Sequence, residues 1–174
     1  MSKNGRAILF VLPSHAFRQE EYETARAALE QRGLKVVVAS TVPDGVTGSR
    51  GETVATDLLI DQVNPEDYAG VVLIGGHGAS QYWYDYKVHE ILRAHARAGK
   101  PIAAIDRATV ALGAAGLLKG KKVTGHISVF EKLANFGADY TGSKVERDGN
   151  LLTAEGASAV SLFAGELAKT FSGN

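Results

Sequence analysis

The stretch KPIAAIDRATVALGAAGLL, residues 100–118, opens with lysine and proline, runs apolar from Ile102 to Ile105, meets an abrupt Asp106 and continues rich in alanine. Four apolar residues without alternation read as a strand covered on both faces. From Arg107 onward the pattern predicts a helix. A carboxylate at such a joint has two readings. It is an N-cap, accepting free N–H groups of the helix's first turn, or it is a side chain presented on a sharp strand-to-helix turn, as α/β enzymes present a nucleophile. Ala108, Ala111 and Gly113 would let a helix pack closely behind that turn.

Working outward, AILFVL (7–12), KVVVAS (35–40) and GVVLIGG (70–76) repeat the apolar-run signature. Between them lie helical stripes. Tyr22, Ala25, Ala28 and Leu29 form one, followed by Gly33 as a C-terminal cap; Val88, Ile91, Leu92 and Ala96 form another within 86–98. Residues 128–137 and the last stretch, with Val160, Phe163, Ala164, Leu167 and Phe171, complete the helices. Residues 41–57 are turn-rich and predict a small hairpin, and Asp148-Gly149 between alternating runs predicts another. The alternation gives one α/β domain over residues 1–174 with a mostly parallel sheet and helices on both faces. In such sheets ligands sit beyond the carboxyl ends of the strands, which directs attention to Leu12–His15, Gly75–Gly78 and Asp106.

Nineteen basic residues against nineteen acidic ones, with no basic run, argue against nucleic-acid and anionic-membrane partners. The apolar segment near the N-terminus is too short for a secretory signal or a membrane span, so a cytoplasmic location is expected. The chain has no cysteine, which removes disulfides, thiolate metal sites and a thiol nucleophile. GGHGAS (75–80) departs from a dinucleotide fingerprint at Gln81, and GLLKGKK (116–122) is one residue short of a phosphate-binding loop. The glycine pair Gly75-Gly76 reads either as a tight turn or as backbone N–H groups free to hold an anion. Five histidines, at 15, 77, 89, 95 and 126, show no metal-ligand spacing. No metal or cofactor is expected.

Taken together, EEYETARAALEQRGLKVVVAS (20–40), VVLIGGHGA (71–79), KPIAAIDRATVALGAAGLLKGKKVTGH (100–126) and KVERDGNLLTAEG (144–156) resemble the DJ-1/PfpI superfamily over nearly the full chain. The resemblance implies a flavodoxin-like three-layer sandwich, a homodimer, and a reactive site at the strand-to-helix turn. There the family normally carries cysteine; this chain carries Asp106, and Arg107 where some members have histidine. By the same match Glu23 stands at the acid that hydrogen-bonds the cysteine, Gly75, Gly76 and the Arg107 N–H at the anion-stabilising turn, and His126 at a histidine near the pocket. Arg50 matches a dimer-interface arginine more loosely. The aspartate has two possible origins, a natural residue with its own chemistry or a substituted cysteine whose sulfinate it imitates.

Thiolate chemistry and sulfur oxidation are closed to such a site. If Asp106 and Glu23 meet, they cannot both be comfortably ionised in a partly buried pocket, and a shared-proton pair can serve as general acid and base. His77, His126 and Arg107 could bind an oxyanion or carboxylate, and Tyr82 and Trp83 could wall the pocket or be ordinary loop aromatics. The expected function is hydrolysis, hydration or a glyoxalase- or deglycase-like rearrangement of a small polar electrophile. The alternative is a catalytically silent stress-response or chaperone-type dimer.

Overall fold

The structure, a computed structural model, describes residues 7–172; the first six and last two residues of the expected domain lie outside it. The apolar runs form the strands expected of them: β1 (Ala7–Val11), β2 (Lys35–Ser40), β4 (Gly70–Leu73) and β5 (Ile102–Ile105), with the short β3 (Leu58–Leu59) between the second and third of these. β6 (Val145–Asp148) and β7 (Leu151–Ala154) form the hairpin signalled by Asp148-Gly149, with Gly149 at φ 60° in its turn. These seven strands make one sheet in the order β6-β7-β5-β4-β1-β2-β3. Every neighbouring pair is parallel except β6 with β7.

Alternation along the strands feeds two cores. Leu9, Val11, Leu73, Ile102 and Ala104 face one side, where α2 (Tyr86–Arg97) and α3 (Thr109–Ala114) supply Ile91, Leu92 and Leu112. Ile8, Phe10, Val72, Ala103 and Ile105 face the other, where α1 (Gln19–Glu30) supplies Tyr22 and Leu29, and the last helix, Val160–Phe171, supplies Phe163 and Leu167. A short α4 (Phe130–Asn135) precedes that last helix, hereafter α5. Burying both faces of a strand is what makes its sequence continuously apolar. Local signals set the helix ends: the Asp85 carboxylate accepts the Lys87 and Val88 amides at 2.8 and 3.1 Å to start α2, and Gly33, at φ 74°, follows α1.

The topology fixes where a ligand can bind. β1 lies in the middle of the sheet; the chain leaves it toward β2 and β3, then crosses back to β4 on its other side. That reversal opens a crevice at the carboxyl ends of β1 and β4, the edge at which Gly75 and Asp106 emerge. The turn-rich 41–57 segment pairs Val46–Gly48 antiparallel with Thr53–Val54, and Val46–Gly48 also pairs with His15–Phe17, pinning the loop after β1.

Candidate active site

Asp106 follows Ile105 directly and takes φ 64°, the left-handed region that costs an ordinary residue roughly 1–2 kcal/mol. Its side chain is buried. It does not cap α3 in the usual sense, because Oδ1 accepts the amide of the adjacent Arg107 at 2.6 Å and the Arg107 Nη1 at 3.1 Å. The turn is held from several sides. The Asp106 carbonyl accepts the Thr109 hydroxyl at 3.0 Å and the His126 amide at 3.3 Å, and the Trp83 indole N–H donates to the Arg107 carbonyl at 2.7 Å. A strained conformation so over-determined is the pattern of a functional turn.

The acid that meets Asp106 is Glu21, not Glu23. Successive helix residues turn by about 100°, so two positions apart lie on nearly opposite faces. Glu21 shares the inward face of α1 with Ala25 and is fully buried, whereas Glu23 is exposed and accepts the Gln19 amide at 3.0 Å. The spacing Glu21, Ala25, Leu29 was a sequence signal for this, since each step is one helical turn. Glu21 Oε2 accepts the Gly75 amide at 3.0 Å. Its pKa is raised well above 4.5, chiefly by burial and then by the charge of Asp106 and the hydrogen bond to it; the Gly75 N–H and Arg18 oppose this only in part. These causes favour the protonated form of Glu21. Glu21 Oε1 and Asp106 Oδ2 both lack a conventional donor among the described residues, and one proton held between them satisfies both.

A residue that sequence reasoning missed completes the cluster. The Arg18 Nε lies 3.4 Å from Glu21 Oε1 and 3.5 Å from Asp106 Oδ2. Nothing in its local pattern marks it; it sits between the pinned His15–Phe17 strand and α1.

Gly75 permits the close approach. A Cβ there would come 2.5 Å from the Asp106 Cβ and press on the Ile105 carbonyl, so only glycine lets the β4 turn pass the β5 turn. Its amide, expected to hold a substrate anion, is already engaged by Glu21, and the Arg107 amide by Asp106 itself. Gly76, at φ 102°, turns the chain against the loop after β1.

Asp106 and Arg18 line a cavity of about 380 Å³ with His126, Ile127, Tyr140 and Gly156. His126 Nδ1 accepts the Ser128 amide at 3.1 Å, which leaves the proton of the neutral ring on Nε2. Burial lowers the His126 pKa, with the Asp106 charge opposing. The remaining expected residues are placed differently. His77 is exposed and does not line the cavity. Tyr82 is no wall of it: the ring is fully buried in the core and its hydroxyl donates to the Ile74 carbonyl. Trp83 also lies outside the lining, packing against the core and steadying the Arg107 carbonyl. Among the described residues no group of three or more His, Asp or Glu is arranged to hold a metal ion, and no helix is long and apolar enough to cross a membrane.

An acid and a buried turn residue at the carboxyl edge of a parallel sheet occur in many α/β proteins, but the match here runs nearly end to end. Residues 6–170 match the DJ-1/PfpI family. The chain belongs to that family. It is 35% identical over 175 residues to an uncharacterized protein of Methanocaldococcus jannaschii, covering 99% of this chain and 85% of that one. It is 34% identical over 143 residues to Deglycase PfpI of Pyrococcus furiosus, covering 82% and 86%. Among solved structures, the ThiJ/PfpI domain protein from Brachyspira murdochii superimposes with a TM-score of 0.92 at 26% identity, covering 96% of both chains. The DJ-1/PfpI fold, a mostly parallel sheet between helices, is the one described above.

Proposed function

We propose that this DJ-1/PfpI member is a cofactor-independent enzyme that acts on a small polar electrophile through the Asp106–Glu21 carboxyl pair, with the aspartate standing where other members carry a nucleophilic cysteine. The observation that carries this reading is the buried Glu21 carboxyl placed with Asp106 against the Arg18 guanidinium, beside a cavity that Asp106 and Arg18 line. Pairs of carboxyl groups whose environments push their protonation apart divide the work of acid and base. Asp106, the anionic partner, takes a proton from water as the water oxygen bonds to a carbonyl carbon. The carbonyl oxygen gains charge beside Arg18 and the His126 N–H, and the proton then passes from Asp106 to that oxygen. Hydration of the carbonyl needs no more than this. No thiol step is open to a chain without cysteine. The deglycase name of the Pyrococcus furiosus relative supports an enzymatic reading. The protein is read as a cytoplasmic homodimer.

One observation favours the second reading, a catalytically silent stress-response or chaperone-type dimer. Asp106 Oδ1 occupies the Arg107 N–H that would otherwise hold a substrate oxyanion. Assays of the wild type, Asp106→Asn, Glu21→Gln and Asp106→Cys on methylglyoxal and a panel of small electrophiles separate the two. Activity in the wild type that both carboxamide variants lose supports the pair. Activity that survives Asp106→Asn removes the carboxylate mechanism, and activity found only in Asp106→Cys marks an altered thiol site.

A further inference from the structure

The backbone of Arg107 is held at both ends. Its N–H donates to Asp106 Oδ1 at 2.6 Å, and its carbonyl accepts the Trp83 indole N–H at 2.7 Å. That carbonyl also takes the Thr109 amide where α3 begins, so the indole fills its second lone pair. Trp83 is the single tryptophan of the chain and lies in the connection between β4 and α2. It is itself fixed from several elements. Its own carbonyl accepts from His89 Nε2 on α2 at 2.7 Å, and the Asp85 cap of α2 anchors the chain two residues further on. The ring packs against the core beneath the sheet, and Lys132 Nζ of α4 stands 5.7 Å from its centroid, within cation–π range. Segments distant in sequence therefore converge on one carbonyl, a residue away from the strained Asp106.

We infer that Trp83 is a positioning residue for Asp106: its indole N–H, acting through the Arg107 carbonyl, keeps the Arg107 amide on Asp106 Oδ1 and the turn at φ 64° from relaxing. Left-handed backbone at a residue other than glycine persists only where its surroundings over-determine it. The Thr109 hydroxyl and the His126 amide hold the Asp106 carbonyl, but among the described residues Trp83 is the only side chain bonded to the Arg107 carbonyl. Ring volume alone does not replace this bond, because a phenyl ring fills most of the same space and has no donor. The effect on turnover rests on the catalytic reading above; the effect on the turn does not.

Hydrogen exchange and fluorine NMR on the full chain test this. In Trp83→Phe the Arg107 and Thr109 amides exchange about threefold to tenfold faster, the worth of one neutral hydrogen bond, while the amides of α5 keep their rates. Because the chain has one tryptophan, uniform labelling with fluorotryptophan places a single reporter at position 83. Its resonance moves in Asp106→Asn, which weakens the hold on the Arg107 backbone from the other end, and stays in place in Arg147→Gln on the edge strand β6. The label needs no substitution at position 83, so it decides the matter if Trp83→Phe does not fold. With a substrate the wild type turns over, Trp83→Phe lowers kcat about threefold to tenfold and leaves KM within about twofold. Turn amides that exchange no faster, exchange that rises equally in α5, a resonance indifferent to Asp106→Asn, or a change in KM alone overturns the inference. Faster exchange and a shifted resonance in a protein that turns over no electrophile retain Trp83 as the support of the turn and remove the catalytic reading instead.

Discussion

Glu21 Oε1 and Asp106 Oδ2 both approach the Arg18 Nε, at 3.4 and 3.5 Å, while the second oxygen of each acid is fixed by a backbone amide, that of Gly75 for Glu21 and that of Arg107 for Asp106. Each carboxyl group thus has one oxygen anchored by a backbone amide and one turned toward Arg18.

The first expectation concerns pH and stability. Because Glu21 holds its proton more tightly when folded, the folded state gains from that group at low pH and loses the gain as pH rises above 4.5 through the raised folded value. Glu21→Gln, which keeps a neutral hydrogen-bonding group, flattens that decline and leaves the protein at least as stable at neutral pH. Glu21→Ala strands the Gly75 amide and costs about 1–3 kcal/mol. Chemical denaturation across a pH series distinguishes the two variants.

Asp106→Asn keeps the shape of the side chain and tolerates the left-handed backbone. It is expected to fold normally and to lose roughly 10²–10⁴-fold in turnover of any substrate the wild type accepts. A β-branched replacement, Asp106→Val, pays the full strain of φ 64° and melts lower than the asparagine variant in a thermal scan.

Gly75→Ala forces the β4 and β5 turns apart, since the new methyl group has no room beside the Asp106 Cβ and the Ile105 carbonyl. A loss of about 1–3 kcal/mol follows from overpacking of this kind. The tell-tale measurement is the pH dependence of stability: if the turns separate, the Glu21 contribution shrinks along with the total.

A second titrating group lies far from the cavity. His95 is fully buried in α2, its Nδ1–H bonded to the Ile91 carbonyl at 2.8 Å and its Nε2 without a partner among the described residues. Burial lowers its pKa from 6.5, with Lys100 adding to the effect, so the unfolded chain takes up its proton first. Stability therefore falls as pH drops below 6.5. His95→Leu removes most of that acid-side slope; the lowered His126 leaves a smaller remainder. Urea midpoints measured from neutral to mildly acidic pH report it.

The residues that carry the fold were readable because the physics behind them is local. Apolar runs such as Ile102–Ile105 become central strands since nothing else buries both faces, and the Asp148-Gly149 signal produced its hairpin. The site was readable only in part. Asp106, Gly75 and His126 stand out at strand ends, and the chain brings them to one edge. Tyr82 and Trp83 did not become pocket walls, because their short helical turn sends one ring into the core and the other against the Arg107 carbonyl.

Sequence by itself determined the parallel α/β sandwich, the family, and the absence of a thiol at the strand-to-helix turn after Ile105, all of which follow from residue type and spacing along one stretch at a time. Tertiary structure decided which acid meets Asp106 and what else stands beside it. A two-residue step around α1 separates a buried Glu21 from an exposed Glu23, so an error of half a helical turn changes the partner. Arg18 reaches the pair only because His15–Phe17 pairs with Val46–Gly48 and fixes the loop that carries it, a contact between segments some thirty residues apart that no local pattern encodes.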